Sequence, residues 1–274
     1  MQMRYAVAEL VFLALPSTSS AFWRARDRDA PSWCPHLAPT PGPSSRRDTL
    51  EFCDALVKAH RRGLSNESIV VDVGTDRGTE ALTARGFGHP VITFECRGRE
   101  AVELGGRPSF WNDTGVRLVH ACVGEKAGLA TLLRAADSSS MNARNVEVDG
   151  AAWKRRREVR RGAASEPVPV VRLDDALDAG SLQALGWAHL GGGGRVGFVK
   201  IDVQGLEGSV LRGMVATLMA HRPFVYYEDS MLPPAERGGS LLQRLVRKQQ
   251  LSGGRRVDYE CRCRNDCFCT PEWR

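Results

Sequence analysis

Residues 69–95 carry the pattern that most restricts the fold of this chain. The apolar run Ile69–Val73 is followed by Gly74 and Gly78, by a segment of helical character, and by a second apolar run, Val91–Glu95, that ends on an acidic residue. This order is typical of a strand, a glycine-bearing turn, a helix and a second, parallel strand. Glycines let a ligand approach the turn backbone, and a terminal carboxylate suits the two hydroxyls of a ribose. The segment therefore predicts a site for a nucleoside-containing cofactor.

The rest of the chain continues this alternation of strands and helices. Further strands are predicted at 116–123, 196–203 and 224–228, helices at about 76–85, 207–219 and 241–250, and a closing hairpin at 257–269. Such an alternation favours an α/β fold, with an open, mostly parallel sheet that helices cover on both faces.

The N-terminal part predicts segments that precede this domain. A basic residue, a short apolar run and a group of small residues indicate a signal peptide over residues 1–21, with an amphipathic helix or a bipartite plastid signal as alternatives. Residues 22–48 are rich in Pro, Ser and Arg, which indicates a disordered linker or a transit-like extension. The domain is then expected over 49–270, with a mobile basic insertion at 135–166. We read that insertion as a solvated loop, although a clamp over an anionic substrate is the alternative.

Charge and hydropathy restrict the partners. The chain has 38 Lys and Arg residues against 32 Asp and Glu, a net charge of +6, and nearly all of the basic residues are arginines. We attribute this to a coding preference for Arg over Lys, because aromatic residues are not interleaved with the basic ones as in nucleic-acid interfaces. No nucleic-acid partner is expected. The N-terminal apolar run is also shorter than the ~20 residues of a membrane span.

The glycine-bearing turn indicates which cofactor is bound. Asp76 occupies the position where a dinucleotide-binding turn needs a second glycine, and its carboxylate opposes a pyrophosphate. S-adenosylmethionine has a ribose and an amino group but no phosphate, so it fits better than a dinucleotide, and an oxidoreductase is disfavoured. Asp72 is predicted to bind the cofactor's ammonium group directly or through water, Gly74 and Gly78 to let the ligand approach the backbone, and Glu95 to hold the ribose. The alternatives are a helix cap for Asp72 and a solvent-exposed strand end for Glu95.

A second unusual segment spans residues 198–207. Alternation along the strand places Lys200 and Asp202 on the same side. A lysine among apolar residues needs a partner when buried, and Asp202 or Glu207 can serve. The alternative to a functional role is a structural ion pair that locks this strand to the next helix.

With these segments, the chain resembles the FkbM-type methyltransferase family. The residues that carry the resemblance are Asp72 to Gly74 with Gly78, Phe94 with Glu95, the segments 168–177, 200–207 and 210–213, and Glu228. The resemblance implies a class I methyltransferase fold, with a seven-stranded sheet and an antiparallel edge hairpin. It also implies S-adenosylmethionine as cofactor and O-methylation of hydroxyls on sugars and natural products. The chain has Thr75-Asp76 where the family turn usually reads Ala-Asn, and Cys96 where proline is common.

Methyl transfer needs an aligned hydroxyl and a base that removes its proton. Asp202, at the expected carboxyl edge of the sheet, is the first candidate, and Glu228 and Asp229 come next. Lys200 is expected to fix the charge and orientation of Asp202. No metal is predicted. The acceptor is expected to be a small molecule or a glycan; the alternative function is a catalytically silent domain of this fold that binds a glycan or a protein.

Cysteine spacing adds a prediction about compartment. In a C-terminal hairpin, Cys263 would oppose Cys267 and Cys261 would oppose Cys269, which favours one or two disulfides and a secretory or extracellular location. A zinc site and free thiols are the alternatives, and the spacing is unusual for zinc. The other four cysteines are expected to be ordinary core or loop residues: Cys34, Cys53, Cys96 and Cys122.

Overall fold

The computed structural model of the protein describes residues 31–38, 43–107, 110, 115–134, 139–142, 165–184, 194–230, 232–251 and 257–272. The predicted signal peptide and residues 135–138 and 143–164 of the predicted insertion lie outside these ranges. Within them, no helix combines the length and the apolar character that crossing a bilayer requires.

Strands and helices alternate along the described chain. The strands are β1 (Ile69–Val73), β2 (Val91–Glu95), β3 (Val116–His120), β4 (Cys122–Val123), β5 (Gly128–Arg134), β6 (Ser139–Asn142), β7 (Ser165–Val171), β8 (Val196–Ile201), β9 (Phe224–Glu228), β10 (Asp258–Cys263) and β11 (Asp266–Glu272). The helices are α1 (Pro43–Arg61), α2 (Thr79–Gly86), α3 (Gly98–Gly105), α4 (Leu173–Ala176), α5 (Ala179–Ala184), α6 (Glu207–Arg212), α7 (Val215–His221) and α8 (Ser240–Leu251), with a 3₁₀ turn at Pro234–Glu236.

A seven-stranded sheet forms the centre of the protein, in the order β10-β11-β9-β8-β1-β2-β3. The strands from β9 to β3 are parallel; at the edge, β11 is antiparallel to β9, and β10 is antiparallel to β11. Every residue of β1, β2 and β8 is buried, as expected for parallel strands covered by helices on both faces. The predicted α/β fold with its antiparallel edge hairpin is confirmed.

A second, four-stranded sheet lies beside the first, in the order β4-β7-β5-β6, and the sequence analysis did not predict it. The predicted strand 116–123 is interrupted at Ala121, whose N–H donates to the carbonyl of Val119. Beyond this turn, Cys122 pairs with Val170 of β7 instead of continuing along β2. The new sheet has its own apolar cluster, which consists of Cys122, Ala130, Leu132, Val168 and Val170.

The packed domain also begins earlier than predicted. Helix α1 starts at Pro43, inside the predicted linker. Upstream of it, Cys34 and Leu37 are fully buried, and Cys34 forms a disulfide with Cys53 of α1. The linker prediction therefore does not hold for residues 31–38, where a disulfide and a small apolar cluster hold the chain against the helix.

The helix predicted over 207–219 is divided into α6 and α7 at Gly213. Asp174 caps the N-terminus of α7, because its carboxylate accepts hydrogen bonds from the N–H groups of Ala216 (3.1 Å) and Thr217 (2.8 Å). The Thr217 hydroxyl donates to the same carboxylate at 3.0 Å. Arg172 donates to it at 3.1 Å, so Asp174 ties β7 to a helix far along the chain.

We expect Asp174→Ala to lower the free energy of unfolding by about 1 to 3 kcal/mol, because it leaves helix N–H groups without an acceptor. Asp175→Ala is the matched control, since Asp175 is 54% exposed and its carboxylate pairs with Arg172 at 3.4 Å. It should change stability by less than about 0.5 kcal/mol. Chemical denaturation of both variants tests this, and equal losses would contradict the capping role.

Candidate active site

A cleft of about 310 Å³ opens where the carboxyl ends of β1, β2 and β8 meet. Its lining comes from these strand ends, from the turn after β3 and from β5: Val73, Gly74, Asp76, Phe94, Glu95, Cys96, Arg97, Ala121, Cys122, Val123, Leu132, Asp202, Val203, Gln204 and Leu206, with Asp48 of α1 at one side. The chain leaves β1 toward β2 on one side, and β8 lies on the other. This is the switch point at which open α/β sheets bind ligands.

Gly74 allows the two sides of the cleft to approach each other. Its φ is +80°, and a Cβ atom there would overlap the carbonyl oxygen of Asp202. Gly78 has a φ of +77°, and its Cβ would overlap the ring of Phe110 instead. Gly74 therefore lines the cleft, whereas Gly78 packs behind it at the start of α2.

Asp72 and Lys200 form a buried ion pair beneath the cleft. They are register partners on β1 and β8, and Lys200 Nζ lies 3.1 Å from Asp72 Oδ1. Thr93 of β2 donates to Asp72 at 3.1 Å, and Lys200 donates to the carbonyl of Gly74 at 2.8 Å. Asp72 is 0% exposed and does not line the cleft. The predicted direct contact between Asp72 and a cofactor ammonium group does not fit this burial.

Lys200 is held in its charged form. Burial by itself lowers the pKa of an ammonium group, but the carboxylates of Asp72, Asp202 and Glu80 outweigh burial and raise the pKa of Lys200. Lys200 cannot accept a proton near neutral pH. The sequence analysis named Asp202 or Glu207 as its partner, whereas its nearest carboxylate is that of Asp72.

Glu95 lies at the end of β2 with only 3% of its surface exposed. Its Oε2 accepts the N–H of Asp76 at 2.9 Å, and its Oε1 accepts the N–H of Arg97 at 2.8 Å and Arg97 Nε at 3.1 Å. Asp76 has a φ of +46°, which an aspartate tolerates better than most residues, and it also pairs with the Arg97 guanidinium. Glu95 and Asp76 are thus brought together by Arg97, which the sequence analysis missed.

Asp202 follows β8, and its side chain is 40% exposed. Gln204 donates to Asp202 Oδ1 at 3.0 Å and reaches Glu228 Oε2 at 3.5 Å. Its φ is +55°, and Gly205 follows in the same left-handed region. The loop therefore folds back and brings the two predicted catalytic carboxylates to one place. The left-handed backbone of Gln204 had no signal in the sequence apart from the glycine that follows it.

Glu207 supports this loop from inside. It is fully buried and accepts hydrogen bonds from the N–H groups of Val203 (3.1 Å) and Gly205 (2.9 Å). Burial raises the pKa of Glu207 to about 7 although these hydrogen bonds favour the ionised form. Oxygens of Glu207, Asp202 and Glu228 lie within 4.8 Å of one another, a spacing that suits a cation.

A second cavity of about 240 Å³ adjoins the cleft. Asp48, Asp202 and Gln204 line both spaces. The rest of the second lining is mostly polar: Arg47, Glu51, Phe52, Glu80, Lys200, Ile201, Tyr226, Glu228, Asn265 and Asp266. Asp202 thus lies on the wall that both cavities share.

Disulfides account for every described cysteine. The predicted hairpin pairs Cys261–Cys269 and Cys263–Cys267 are present, opposite each other in β10 and β11. Cys96 forms a disulfide with Cys122, and both line the cleft. The expectation that Cys34, Cys53, Cys96 and Cys122 are ordinary unpaired residues is therefore wrong; each pair is distant in sequence, so spacing gave no signal.

Comparisons with known proteins include one family match and two similar solved structures. Residues 72–260 match the model of the methyltransferase FkbM domain. Among solved structures, the chain is similar to methyltransferase FkbM from Methylobacillus flagellatus KT, at 15% identity and a TM-score of 0.41, over 81% of this chain and 54% of that one. It is also similar to precorrin-6y C5,15-methyltransferase from Geobacter metallireducens GS-15, at 12% identity and a TM-score of 0.36, over 80% and 86% of the two chains. The chain spans about half the length of the Methylobacillus protein. A search of curated proteins found no match.

We expect Gly74→Ala to destabilise the protein by at least about 3 kcal/mol, because it adds a backbone overlap to the strain of a positive φ. Gly63→Ala is the matched control. Gly63 has a φ of +96° but has no atom within 4 Å of a Cβ position, so only the strain of about 1 to 2 kcal/mol applies. Unfolding midpoints of the two variants test the difference, and similar losses would argue against the close approach at Gly74.

We expect the free energy of unfolding of Glu207→Gln to increase relative to that of the wild type as pH rises. The folded-state pKa of Glu207 is about 7, above its ordinary value of 4.5. The protonated side chain therefore stabilises the folded protein fully below pH 4.5, and this stabilisation is lost as pH rises through 7. Between pH 5 and 8 the wild type should lose about 2 to 3 kcal/mol relative to the variant. Denaturation at both pH values tests this. Glu67→Gln, at an exposed carboxylate, is the control, and a pH-independent difference for Glu207→Gln would contradict the assignment.

Proposed function

Because the chain belongs to the FkbM methyltransferase family, we propose that it transfers the methyl group of S-adenosylmethionine to a hydroxyl of a sugar or of a small natural product. The observation that carries this proposal is the pair of adjoining cavities that meet at Asp202. One is suited to the cofactor and the other to the acceptor, and a carboxylate stands between them.

The chemistry of the cleft fits this cofactor. The partly exposed apolar side chains of Val203 and Leu206 offer a surface for an adenine ring, and Glu95 offers an acceptor for a ribose hydroxyl. The carboxylate of Asp76 lines the same space and suits the positive charges of the ammonium and sulfonium groups. When bound, the cofactor supplies an electrophilic methyl group.

The second cavity fits an acceptor rich in hydroxyl groups. Its carboxylates and amides are hydrogen-bond acceptors that hydroxyls can satisfy, and Tyr226 donates to Asp266 at 2.8 Å within it. Glu228 lies there too, where it would orient the acceptor. This supports a sugar-like acceptor.

Asp202 is the proposed general base. It lies on the shared wall, it is partly exposed, and Gln204 fixes the direction of one carboxylate oxygen. Lys200, 3.9 Å from its other oxygen, stays protonated and holds the carboxylate in place. Positioning and removal of the hydroxyl proton are the contributions that these residues would make.

We propose a secretory or extracellular location. Four disulfides occur among the described residues, and such bonds persist in oxidising compartments. The signal peptide predicted over residues 1–21 would supply the route.

Two variants separate cofactor binding from chemistry. We expect Glu95→Ala to weaken S-adenosylmethionine binding about 10- to 100-fold, because ribose acceptors are lost and Arg97 loses its partner. Asp202→Asn should keep the affinity within about threefold and lower turnover at least ~100-fold. Calorimetry measures binding, and formation of S-adenosylhomocysteine with a panel of sugars measures turnover. Glu103→Gln, an exposed carboxylate on α3, is the control.

Each outcome has a distinct meaning. Absence of cofactor binding by the wild type would overturn the proposed function. Binding without turnover on any acceptor would favour the silent domain that binds a glycan or a protein. Full turnover by Asp202→Asn would exclude Asp202 as the base and leave Glu228 as the candidate.

A further inference from the structure

One disulfide lies in the wall of the cofactor cleft. Cys96 directly follows Glu95 at the end of β2, Cys122 opens β4, and both side chains line the cleft. The other three disulfides have no residue in that lining: Cys34–Cys53, Cys261–Cys269 and Cys263–Cys267. Among the four described disulfides, only Cys96–Cys122 therefore lines the cleft.

This disulfide joins the two sheets. Strand β2 belongs to the seven-stranded sheet, and β4 pairs with β7 in the four-stranded one. The chain passes from one sheet to the other at Ala121. The positions of Ala121 and Val123, on either side of Cys122, therefore depend on the position of the second sheet relative to the first. Both line the cleft.

The noncovalent contacts described at this junction are apolar packing and one long hydrogen bond. Cys96 and Leu206 pack against the apolar cluster of the second sheet. The N–H of Gly98 donates to Glu166 of β7 at 3.3 Å, which is long for such a bond. A covalent bond between Cys96 and Cys122 fixes the spacing of the two walls more tightly than these contacts do.

We propose that the Cys96–Cys122 disulfide is a positioning element of the cleft, so that S-adenosylmethionine binds more weakly once the bond is reduced. This inference rests on the proposed function. With the bond intact, the wall at Ala121 to Val123 is fixed against Glu95 before the ligand arrives. Without it, part of the binding free energy is spent on ordering that wall.

The cleft also gives a reductant its route. Cys96 is half-buried and faces the cleft, whereas Cys122 is 3% exposed. A thiolate of an external dithiol attacks the sulfur of Cys96, the S–S bond breaks, and Cys122 leaves as a thiolate that takes up a proton. The second thiol of the reagent then releases Cys96 as a thiol, and the reagent ends as a disulfide, two electrons poorer. A ligand in the cleft covers this route and should slow the reaction.

A pair of double variants tests the proposal. Cys96→Ala with Cys122→Ala removes the cleft disulfide, and Cys34→Ala with Cys53→Ala removes one of similar loop length, with sequence separations of 26 and 19. The entropic effect on the unfolded chain is therefore similar in both. By calorimetry with S-adenosylhomocysteine, we expect the first to lose about tenfold in affinity and the second less than about twofold. Equal affinity of the first variant and the wild type would overturn the inference and leave the proposed function standing.

Hydrogen exchange without ligand gives a second readout. Segments 94–98 and 121–124 should exchange faster in the first variant than in the wild type, and no faster in the second. Unchanged exchange there would overturn the positioning role. If the variant does not fold, wild-type protein is used instead. It is treated with increasing concentrations of a dithiol, and the reduced cysteines are identified by mass spectrometry. If the wild type binds no S-adenosylhomocysteine, the proposed function fails, and the exchange measurement still decides whether the bond holds the walls.

Discussion

The buried ion pair of Asp72 and Lys200 connects the three strands that carry the site. Thr93 on β2 donates to Asp72 on β1, Asp72 faces Lys200 on β8, and Lys200 donates to the carbonyl of Gly74. Removing two charges from water costs several kcal/mol per ion, so such a pair persists only with good geometry and further hydrogen bonds. Because those bonds end on the turn after β1, the arrangement that satisfies the charges also sets the floor of the cleft.

The same pair explains why the sequence identified the right segments and misassigned one role. Asp72 and Lys200 each stand out because charges within buried strands are rare, and parallel register makes them neighbours. From the sequence alone, Asp72 at a strand end is equally consistent with a ligand contact, and only its complete burial excludes that contact. The identity and order of these charged residues in the strands could be used from the sequence, but the burial of each side chain could not be predicted.

Other parts of the site had no local signal. The alternation of buried strands and helices predicted the parallel sheet, since period and burial are local properties. The four-stranded sheet arises because the chain turns at Ala121, and nothing in residues 116–123 distinguishes that turn from a continuing strand. Arg97 and Gln204 act through contacts with residues that are distant in sequence, as do the two disulfides that the spacing of cysteines did not reveal. Glu95 accepts three hydrogen bonds from the protein, so about one of the four acceptor sites of its carboxylate is left for a ribose hydroxyl.

The pairing of β1 with β8 also determines when the protein can close its core during synthesis. The first three strands leave the ribosome early, together with both cysteines of the Cys34–Cys53 and Cys96–Cys122 bridges. Lys200 emerges much later, and contacts between distant segments form slowly because a long loop must be closed first. Until then Asp72 lacks its cationic partner, and collapse around the early strands would bury a lone carboxylate. The Asp72 carboxylate, which pairs with Lys200 in the complete sheet, therefore opposes compaction of the incomplete sheet before β8 has been synthesised.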